Sequence, residues 1–363
     1  MTPPFIKNTA LLLPPVRRLY ERYQRSEADR AALEGERDGL RATLSYLQDN
    51  LGKLRSELDR VTATAAAKAE EAGAAVAPRI GRADHWAYLK QRNQLLEVDF
   101  PIIPRVRYGH GLPPHPLILQ RLEASKDRCG ATIRQMLPLL EPMRTIPPHP
   151  VADQSEPNWQ NLAFPALDAM ALYGLVALRR PARFLEIGSG FSTKFARRAI
   201  KDHNLPTRVI SIDPEPRAEV DAICDEVIRK PLEDVDSSYF EQFGADDLIF
   251  YDGSHRAFQN SDVTVFFVEV LPCLKPGAMF GIHDTFLPDD YPPAWLEWYF
   301  NEQYMLACWL LAGDKLQIEF AAHYIARVEE LRMMFQPFWT EPNLVGANHS
   351  GGSFFATIQD SER

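Results

Sequence analysis

Four polar side chains follow two apolar segments of the sequence that have the composition of buried β-strands. Asp252 and His255 follow the first of these segments, and His283 and Asp284 follow the second. Because the carboxyl ends of adjacent parallel strands meet at one edge of a sheet, these side chains are expected to lie close together. Histidine can act as a general base near neutral pH, and carboxylates together with imidazole can bind a divalent cation. This cluster is the predicted reaction centre.

A glycine turn follows a third apolar segment of the same kind. The residues FLEI lead into Gly188, Ser189 and Gly190, after which the pattern becomes helical. A tight turn at this point lets a ligand approach the backbone at the N-terminus of a helix. Asp213 stands at the end of the next strand, about 20 residues further on, where a carboxylate can accept both hydroxyls of a ribose. The turn therefore predicts a cofactor that contains a nucleoside.

Glu186, in the strand before the turn, helps to distinguish between two cofactors that contain a nucleoside. A carboxylate here repels the pyrophosphate of NAD but suits a cationic ligand, and S-adenosylmethionine carries an ammonium and a sulfonium group and no phosphate. The NAD fingerprint also has a third small residue where this chain has Thr193. These features favour S-adenosylmethionine, and an NAD-dependent dehydrogenase is the alternative enzyme.

Four motifs, LEIGSGFST, SIDPEPR, DLIFYDGSHR and LKPGAMFGIHD, occur in this order along the chain. As an ordered set they resemble the class I S-adenosylmethionine-dependent methyltransferases, in the branch that includes macrolide-sugar and other small-molecule O-methyltransferases. The resemblance covers about residues 155–358. It implies that the cofactor is bound by Glu186, Gly188, Ser189, Gly190, Asp213, Leu232, Glu233 and Asp252.

The resemblance also implies which part of the cofactor these residues would contact. The glycine turn and Glu186 would hold its amino-acid end, and Asp213 would hold the ribose. Leu232 and Glu233, which follow the third strand, would flank the adenine.

The resemblance also implies roles in the reaction centre. His255 would be the general base for an acceptor hydroxyl, and Asp252 would lie beside it as the second catalytic residue. Metal-dependent relatives bind a divalent ion at the positions of Asp252, His283 and Asp284. His283 departs from the all-oxygen ligands that magnesium prefers, so manganese, another transition ion or a metal-free site are open alternatives to magnesium.

The elements that would position these residues alternate between strand and helix. Seven strands are predicted at Arg183–Ile187, Arg208–Ile212, Glu226–Ile228, Asp247–Tyr251, Ala278–Ile282, Leu316–Phe320 and Ser353–Ile358. Helices are predicted at Pro116–Leu140, Thr193–Lys201, Ala218–Asp225, Tyr239–Phe243, Gln259–Leu274 and Trp295–Trp309. The alternation predicts an α/β fold, a Rossmann-like doubly wound sheet of about seven strands with helices on both faces.

The N-terminal part of the chain has a different pattern. Apolar residues alternate at spacings of four and three, which predicts a coiled coil and a linker in residues 1–82. The seam consists of Leu33, Leu40, Leu44, Leu47, Leu51, Leu54, Leu58 and Val61. It predicts a homo-oligomer, with a single helix packed on its own chain as the alternative. Residues 83–150 are predicted to be a proline-rich connecting region, and residues 151–363 the methyltransferase domain.

The composition limits the kinds of partner that are expected for this protein. The chain of 363 residues has a net charge of −9, which argues against a nucleic-acid-binding surface. No apolar run approaches the roughly 20 residues needed to cross a bilayer. The 4 cysteines form no CxxC pair, so reduced thiols and a cytoplasmic location are expected.

Together these observations predict a methyltransferase that acts on a hydroxyl of a small molecule or glycan, the acceptor being a sugar, a glycan or a glycosylated metabolite. The non-enzymatic alternative is a coiled-coil scaffold with a degenerate methyltransferase module. The retained chemistry-bearing residues, among them Glu186, Asp213 and His255, argue against degeneration.

Overall fold

The computed structural model describes residue 99, residues 101–216 and residues 220–360. The predicted coiled coil of residues 1–82 therefore lies outside the described residues, and so does the self-association expected from it. The described residues from Ile102 onward belong to one compact unit. The predicted domain boundaries at residues 82 and 150 stay predictions.

The sheet has seven strands, in the order β3-β2-β1-β4-β5-β7-β6. The strands are β1 Arg183–Ile187, β2 Arg208–Ile212, β3 Glu226–Ile228, β4 Asp247–Tyr251, β5 Met279–Ile282, β6 Leu316–Ala321 and β7 Phe354–Ile358. The first five are parallel, whereas β7 runs antiparallel to both β5 and β6. The predicted strands agree with these bounds to within one residue, and the predicted Rossmann-like sheet is confirmed.

The helices, numbered in chain order, lie before the sheet, between its strands and in the long connection to β7. They are α1 Pro116–Ala124, α2 Lys126–Met136, α3 Ala166–Arg179, α4 Phe191–Asp202, α5 Asp262–Val265, α6 Glu302–Ala312, α7 Ala322–Arg327, α8 Glu329–Arg332 and α9 Gln336–Trp339. The helix of α5 continues as a π-helical segment, Phe266–Val270, and a last turn, Leu271–Cys273. Short 3-10 segments are Leu137–Thr145, Asp221–Ile223, Leu232–Asp234, Ser237–Gln242, Pro293–Trp298, Met333–Phe335 and Pro342–Leu344.

Two predicted helices are interrupted in the structure. The one expected over Pro116–Leu140 breaks at Ser125, whose hydroxyl donates to the carbonyl of Arg121 and so competes with the helical pattern. The one expected over Trp295–Trp309 breaks after Trp298, because Tyr299 takes the left-handed conformation, with φ of 57°. This second break makes Glu302 the first residue of α6.

One hydrophobic core joins the sheet to the segment before it. Side chains of α1 and α2, such as Leu122 and Ile133, are buried in the same cluster as Phe184 of β1 and Phe355 of β7. Burial of large apolar side chains of this kind contributes about 1.5–3 kcal/mol each relative to exposure. In the described part of the chain, none of the helices has the length and apolar character needed to cross a membrane.

Candidate active site

The parallel strands end at one level of the sheet, and this register assembles the site. Ile187 at the end of β1 lies opposite Ile212 of β2 and opposite Tyr251 of β4. Tyr251 in turn lies opposite Ile282 of β5. The order of the strands reverses between β1 and β4, which is where open α/β sheets bind their ligands. The residue that follows each of these strands therefore lies at this edge of the sheet.

The turn after β1 requires glycine at its first position. Gly188 has φ of +81°, and a Cβ atom added to it would lie 1.9 Å from the carbonyl oxygen of Asp252. The backbone of the two turns thus makes a contact that no other residue type permits. A Cβ atom added to Gly190, in contrast, would meet nothing within 4 Å. The space beside Gly190 at the start of α4 is open to a ligand.

That space belongs to a cleft of about 390 Å³ along the ends of β1, β2 and β4. Ligand sites for small molecules are commonly about 300–1,000 Å³ in volume. The predicted cofactor residues that line the cleft are Gly188, Ser189, Gly190, Asp213, Leu232, Glu233 and Asp252. The structure therefore brings these positions to one cleft.

Glu186 is the one predicted cofactor residue that does not line this cleft, and its side chain is fully buried. Its Oε2 atom accepts a hydrogen bond from the hydroxyl of Thr193, and its Oε1 atom has no hydrogen-bond partner in the described part of the chain. Burial raises the pKa of this carboxyl to about 8, although hydroxyls of Ser192 and Thr193 oppose the shift. A buried acid with an unsatisfied oxygen is suited to a cationic ligand.

Asp213 holds the turn as well as facing the cleft. Its two oxygens accept the backbone N–H groups of Ser189 and Glu215, at 2.7 Å each. A carboxylate has about four acceptor sites, so capacity for hydroxyl donors remains. Glu215 also lines the cleft and was not predicted. Its position two residues after the strand-ending Asp213 is the signal that could have identified it.

The loop after β4 is tied down by Asp262. This carboxylate accepts the Tyr251 hydroxyl at 3.0 Å and the backbone N–H of Ser254 at 2.6 Å. A Cβ atom at Gly253 would lie 2.3 Å from Asp262, so a larger residue here would displace the Asp262 or Tyr251 side chain. The loop consequently holds Asp252 and His255 in a fixed arrangement.

The four predicted reaction-centre residues do come together. The Nε2 atom of His255 lies 3.6 Å from a carboxylate oxygen of Asp252 and 3.6 Å from one of Asp284. The Nδ1 atom of His283 lies 3.4 Å from Asp252 and 3.6 Å from Asp284. One atom each of Asp252, His283 and Asp284 lies within 4.8 Å of the others, a grouping that could hold a metal ion.

Each histidine is held from behind by a buried acid. The Nδ1 atom of His255 lies 2.6 Å from Glu302, and the Nε2 atom of His283 lies 3.3 Å from Asp168. Both acids are 0% exposed. Neither was predicted, because Asp168 lies within the apolar helix α3 and Glu302 was placed in mid-helix. An acid inside an otherwise apolar helix is the signal that could have identified Asp168.

Two residues of the centre have backbone conformations that L-residues rarely adopt. His255 has φ of 64° and Asp284 has φ of 54°. A positive φ costs a non-glycine residue about 1–3 kcal/mol, and such strain concentrates at functional sites. Both residues therefore point into the cluster at an energetic cost to the fold.

The charges of the cluster act on His255. Burial opposes its charged form, but the carboxylates of Glu302, Asp252 and Asp284 outweigh burial and raise its pKa to about 9. Burial also raises the pKa of Glu302 to about 7, against the opposing effect of His255. The pair therefore shares one proton within a largely dry environment.

Residues 185–285, which include the glycine turn and the reaction centre, match a protein family described as a methyltransferase domain. This segment of the chain is a methyltransferase domain. This confirms the resemblance that the four motifs indicate.

The chain is also similar to individual proteins. An uncharacterised protein of Archaeoglobus fulgidus is 37% identical over 87 residues, which are 22% of this chain and 39% of that protein. The SAH-bound methyltransferase PaMTH1 of Podospora anserina is 17% identical, over 70% of this chain and 100% of that one, with a TM-score of 0.34. An O-methyltransferase of Bacillus cereus in complex with SAH is 14% identical, over 63% and 91%, with a TM-score of 0.31.

Aromatic rings form a wall beside His255. The Phe300 ring lies 4.5 Å from the imidazole, centroid to centroid, and contacts both Trp295 and Trp298. Trp298 is exposed, and its carbonyl accepts a hydrogen bond from Arg256. This wall extends from the buried centre to the surface.

Proposed function

We propose that this protein transfers the methyl group of S-adenosylmethionine to a hydroxyl oxygen. The observation that carries the proposal is the double position of Asp252. Its side chain lines the cofactor cleft and also lies within 3.6 Å of the inward-facing nitrogens of His255 and His283. The cofactor cleft and the candidate base therefore share one carboxylate, and the match to the methyltransferase-domain family supports this reading.

The residues of the chain divide the work of the reaction. S-adenosylmethionine supplies an electrophilic methyl group: a C–O bond forms to the acceptor, the C–S bond breaks, and S-adenosylhomocysteine leaves. Glu186 and the glycine turn hold the cationic amino-acid end, and Asp213 accepts the ribose hydroxyls. His255 acts as the base in its neutral form, which its raised pKa of about 9 makes more abundant as the pH rises, and it then receives the acceptor proton on Nε2, since Nδ1 is already bonded to Glu302.

A divalent metal fits the cluster. One ligand atom each from Asp252, His283 and Asp284 lie within 4.8 Å of one another. The Nδ1 atom of His283 is buried without a hydrogen-bond partner in the described residues, while Asp168 faces its other nitrogen. Such a carboxylate–histidine pair is the usual support of a metal-ligating imidazole. We propose that these three residues would hold such an ion, which when bound would supply Lewis-acid chemistry to the acceptor hydroxyl.

The nature of the ligands favours manganese over magnesium. Magnesium prefers oxygen ligands, whereas an imidazole nitrogen beside two carboxylates suits a transition ion. The imidazole of His283 is the ligand in this set that favours manganese over magnesium.

The acceptor we propose is a sugar, a glycan or a glycosylated metabolite. The aromatic wall of Trp295, Trp298 and Phe300 offers the apolar faces on which a sugar ring can stack, and it begins at His255. Arg256 places its guanidinium over the Phe300 ring at 4.9 Å and adds polar donors at the same edge. A homo-oligomer formed through residues 1–82 and a cytoplasmic location remain proposals from the sequence.

The decisive test titrates the purified protein by calorimetry with S-adenosylmethionine, S-adenosylhomocysteine and NAD. Binding of the first two and none of NAD is expected. Tight binding of NAD instead would favour a dehydrogenase, and binding of none of the three would favour the scaffold alternative.

The acceptor class is tested with labelled S-adenosylmethionine and two sets of acceptors, methyl glycosides and simple phenols such as catechol. Label transfer to the glycosides supports the sugar proposal. Transfer to the phenols alone would retain the methyltransferase and reject the sugar. His255→Ala is the matched inactive variant, and an about 100-fold lower turnover is expected for it.

A further inference from the structure

Glu302 makes a contact with the reaction centre that neither the motifs nor the cofactor cleft account for. We propose that Glu302 is a positioning residue, which orients His255 so that its Nε2 atom faces the acceptor. The inference rests on the proposed role of His255 as the base.

The contact between the two side chains is short and enclosed. Oε1 of Glu302 lies 2.6 Å from Nδ1 of His255, and both side chains are buried. Hydrogen bonds of this length between an acid and an imidazole are charge-assisted and strongly directional. With Nδ1 bonded to Glu302, the ring cannot turn over without breaking this contact. Nε2 is therefore the nitrogen available to the acceptor.

The backbone around Glu302 is tied to the same loop from two further points. The N–H of Asn301 donates to the carbonyl of His255 at 2.9 Å. The side-chain oxygen of Asn301 accepts the N–H of Ala257 at 2.6 Å. Phe300 packs on the imidazole face. Phe300 thus contacts the ring of His255, Asn301 binds its backbone carbonyl, and Glu302 binds its Nδ1 atom.

This arrangement explains why the helix begins at Glu302. The left-handed turn at Tyr299 ends the preceding 3-10 segment and redirects the chain towards His255. The carboxylate then lies in the first turn of α6, where the helix dipole favours negative charge. A buried acid with its second oxygen, Oε2, unsatisfied in the described residues is costly to the fold, so a functional reason for it is expected.

The first test needs no acceptor. In protein labelled with ¹⁵N-histidine, the Nδ1 proton of His255 should give a strongly low-field signal that His255→Ala removes. Glu302→Gln, which keeps the shape and removes the charge, should shift that signal upfield or broaden it into exchange. Glu269→Gln, the same change at an exposed glutamate, should leave it in place. Absence of the low-field signal in the wild type, or its persistence in Glu302→Gln, would overturn the inference.

The second test distinguishes positioning from a structural role by kinetics with the methyl glycosides. Glu302→Gln should lower kcat at least about 10-fold with KM and cofactor affinity nearly unchanged. Glu302→Asp, which retains the carboxylate, should recover part of the loss. In the His255→Ala background, Glu302→Gln should cost nothing more, since both act on one step. Additive losses would show that Glu302 acts elsewhere.

The outcomes separate this inference from the proposed function. Full activity of His255→Ala would remove the base, and with it the function assigned to Glu302. Loss of activity in His255→Ala with full activity in Glu302→Gln would reject the positioning role alone. If no glycoside is methylated, the acceptor class fails, and the spectroscopic result still decides the role of Glu302.

Discussion

The carboxylate of Asp168 lies 3.3 Å from Nε2 of His283, although 115 residues separate them. Asp168 also accepts the backbone N–H groups of Gly352, at 2.9 Å, and Ser353, at 2.7 Å. One buried acid of α3 therefore joins the start of β7 to the histidine that follows β5. The contact orients the imidazole with Nδ1 towards Asp252 and Asp284.

Asp168→Asn is expected to weaken manganese binding about 10–100-fold, because the imidazole loses the acid that fixes its orientation. Calorimetric titration with manganese chloride measures the effect. Cofactor affinity should change little, since Asp168 does not line the cofactor cleft.

Asp314→Asn is the control, because that side chain is 89% exposed and pairs with Arg121. It should bind manganese as the wild type does. Wild-type manganese affinity in a folded Asp168→Asn protein would contradict the proposed support of His283. If the wild type itself binds neither manganese nor magnesium, and chelation leaves activity intact, the metal proposal fails.

The two glycines of the turn should fail in different ways when each is changed to alanine. Gly188→Ala forces a Cβ atom against the backbone of Asp252 at a φ that alanine tolerates poorly, so a loss of at least about 2 kcal/mol in stability is expected. Gly190→Ala meets no protein atom, so the fold should survive while the methyl group obstructs the cofactor. Thermal unfolding and calorimetry with S-adenosylmethionine separate the two effects.

Each glycine variant serves as the control for the other. A Gly190→Ala protein that binds S-adenosylmethionine with wild-type affinity would show that the cofactor does not approach this turn. A Gly188→Ala protein with an unchanged unfolding temperature would mean that the contact with Asp252 is not tight in solution.

Short-range patterns were sufficient to predict the sheet and most of the cofactor cleft. The strands are short apolar runs, and in a parallel sheet the residues that follow them must meet at one edge. That geometric rule alone places Asp213, Asp252 and His283 together, and the structure agrees.

The supporting acids could not be predicted in this way. Asp168 reaches His283 from a helix before the sheet, and the contact depends on how α3 packs, which no local pattern encodes. Glu302 depends on the left-handed turn at Tyr299, and a tyrosine gives no signal for that conformation. Tertiary packing decided both positions.

Asp213→Ala should weaken binding of S-adenosylmethionine by about 1–3 kcal/mol, since the ribose hydroxyls lose a charged acceptor. The turn also loses two hydrogen bonds, from the N–H groups of Ser189 and Glu215. Glu215→Ala, which removes a carboxylate from the same cleft but leaves that network intact, is the comparison. Unchanged affinity in Asp213→Ala would exclude it from the ribose site, and a larger loss in Glu215→Ala would transfer the role to Glu215.

A protein that begins at Asp84 should lose self-association yet still bind S-adenosylmethionine. The predicted apolar seam ends before this residue, whereas the cofactor cleft is formed after it. Multi-angle light scattering compares the masses of the full-length and shortened chains. The same number of subunits in both would reject the coiled-coil proposal, and loss of cofactor binding would show that residues before Asp84 support the cleft.

Glu186→Gln should make the cofactor-free protein more stable at neutral and alkaline pH while weakening the binding of S-adenosylmethionine. The pKa of this carboxyl rises from 4.5 to about 8 on folding, because burial penalises its charged form. Below pH 4.5 the group is protonated in both states and costs nothing. Between these values the unfolded chain releases the proton and the folded chain keeps it, so folding stability falls as pH rises.

The difference in free energy of unfolding between Glu186→Gln and the wild type should therefore grow from pH 4.5 to about pH 8 and then level off. Taking the difference between the two proteins cancels the other titrating groups. Thermal or urea unfolding across this range measures it. A difference independent of pH would mean that Glu186 titrates normally in the folded state. Binding of S-adenosylmethionine should be weaker in Glu186→Gln than in the wild type, because glutamine offers no charge to the ammonium group. Equal affinities for both proteins would remove Glu186 from the cofactor site.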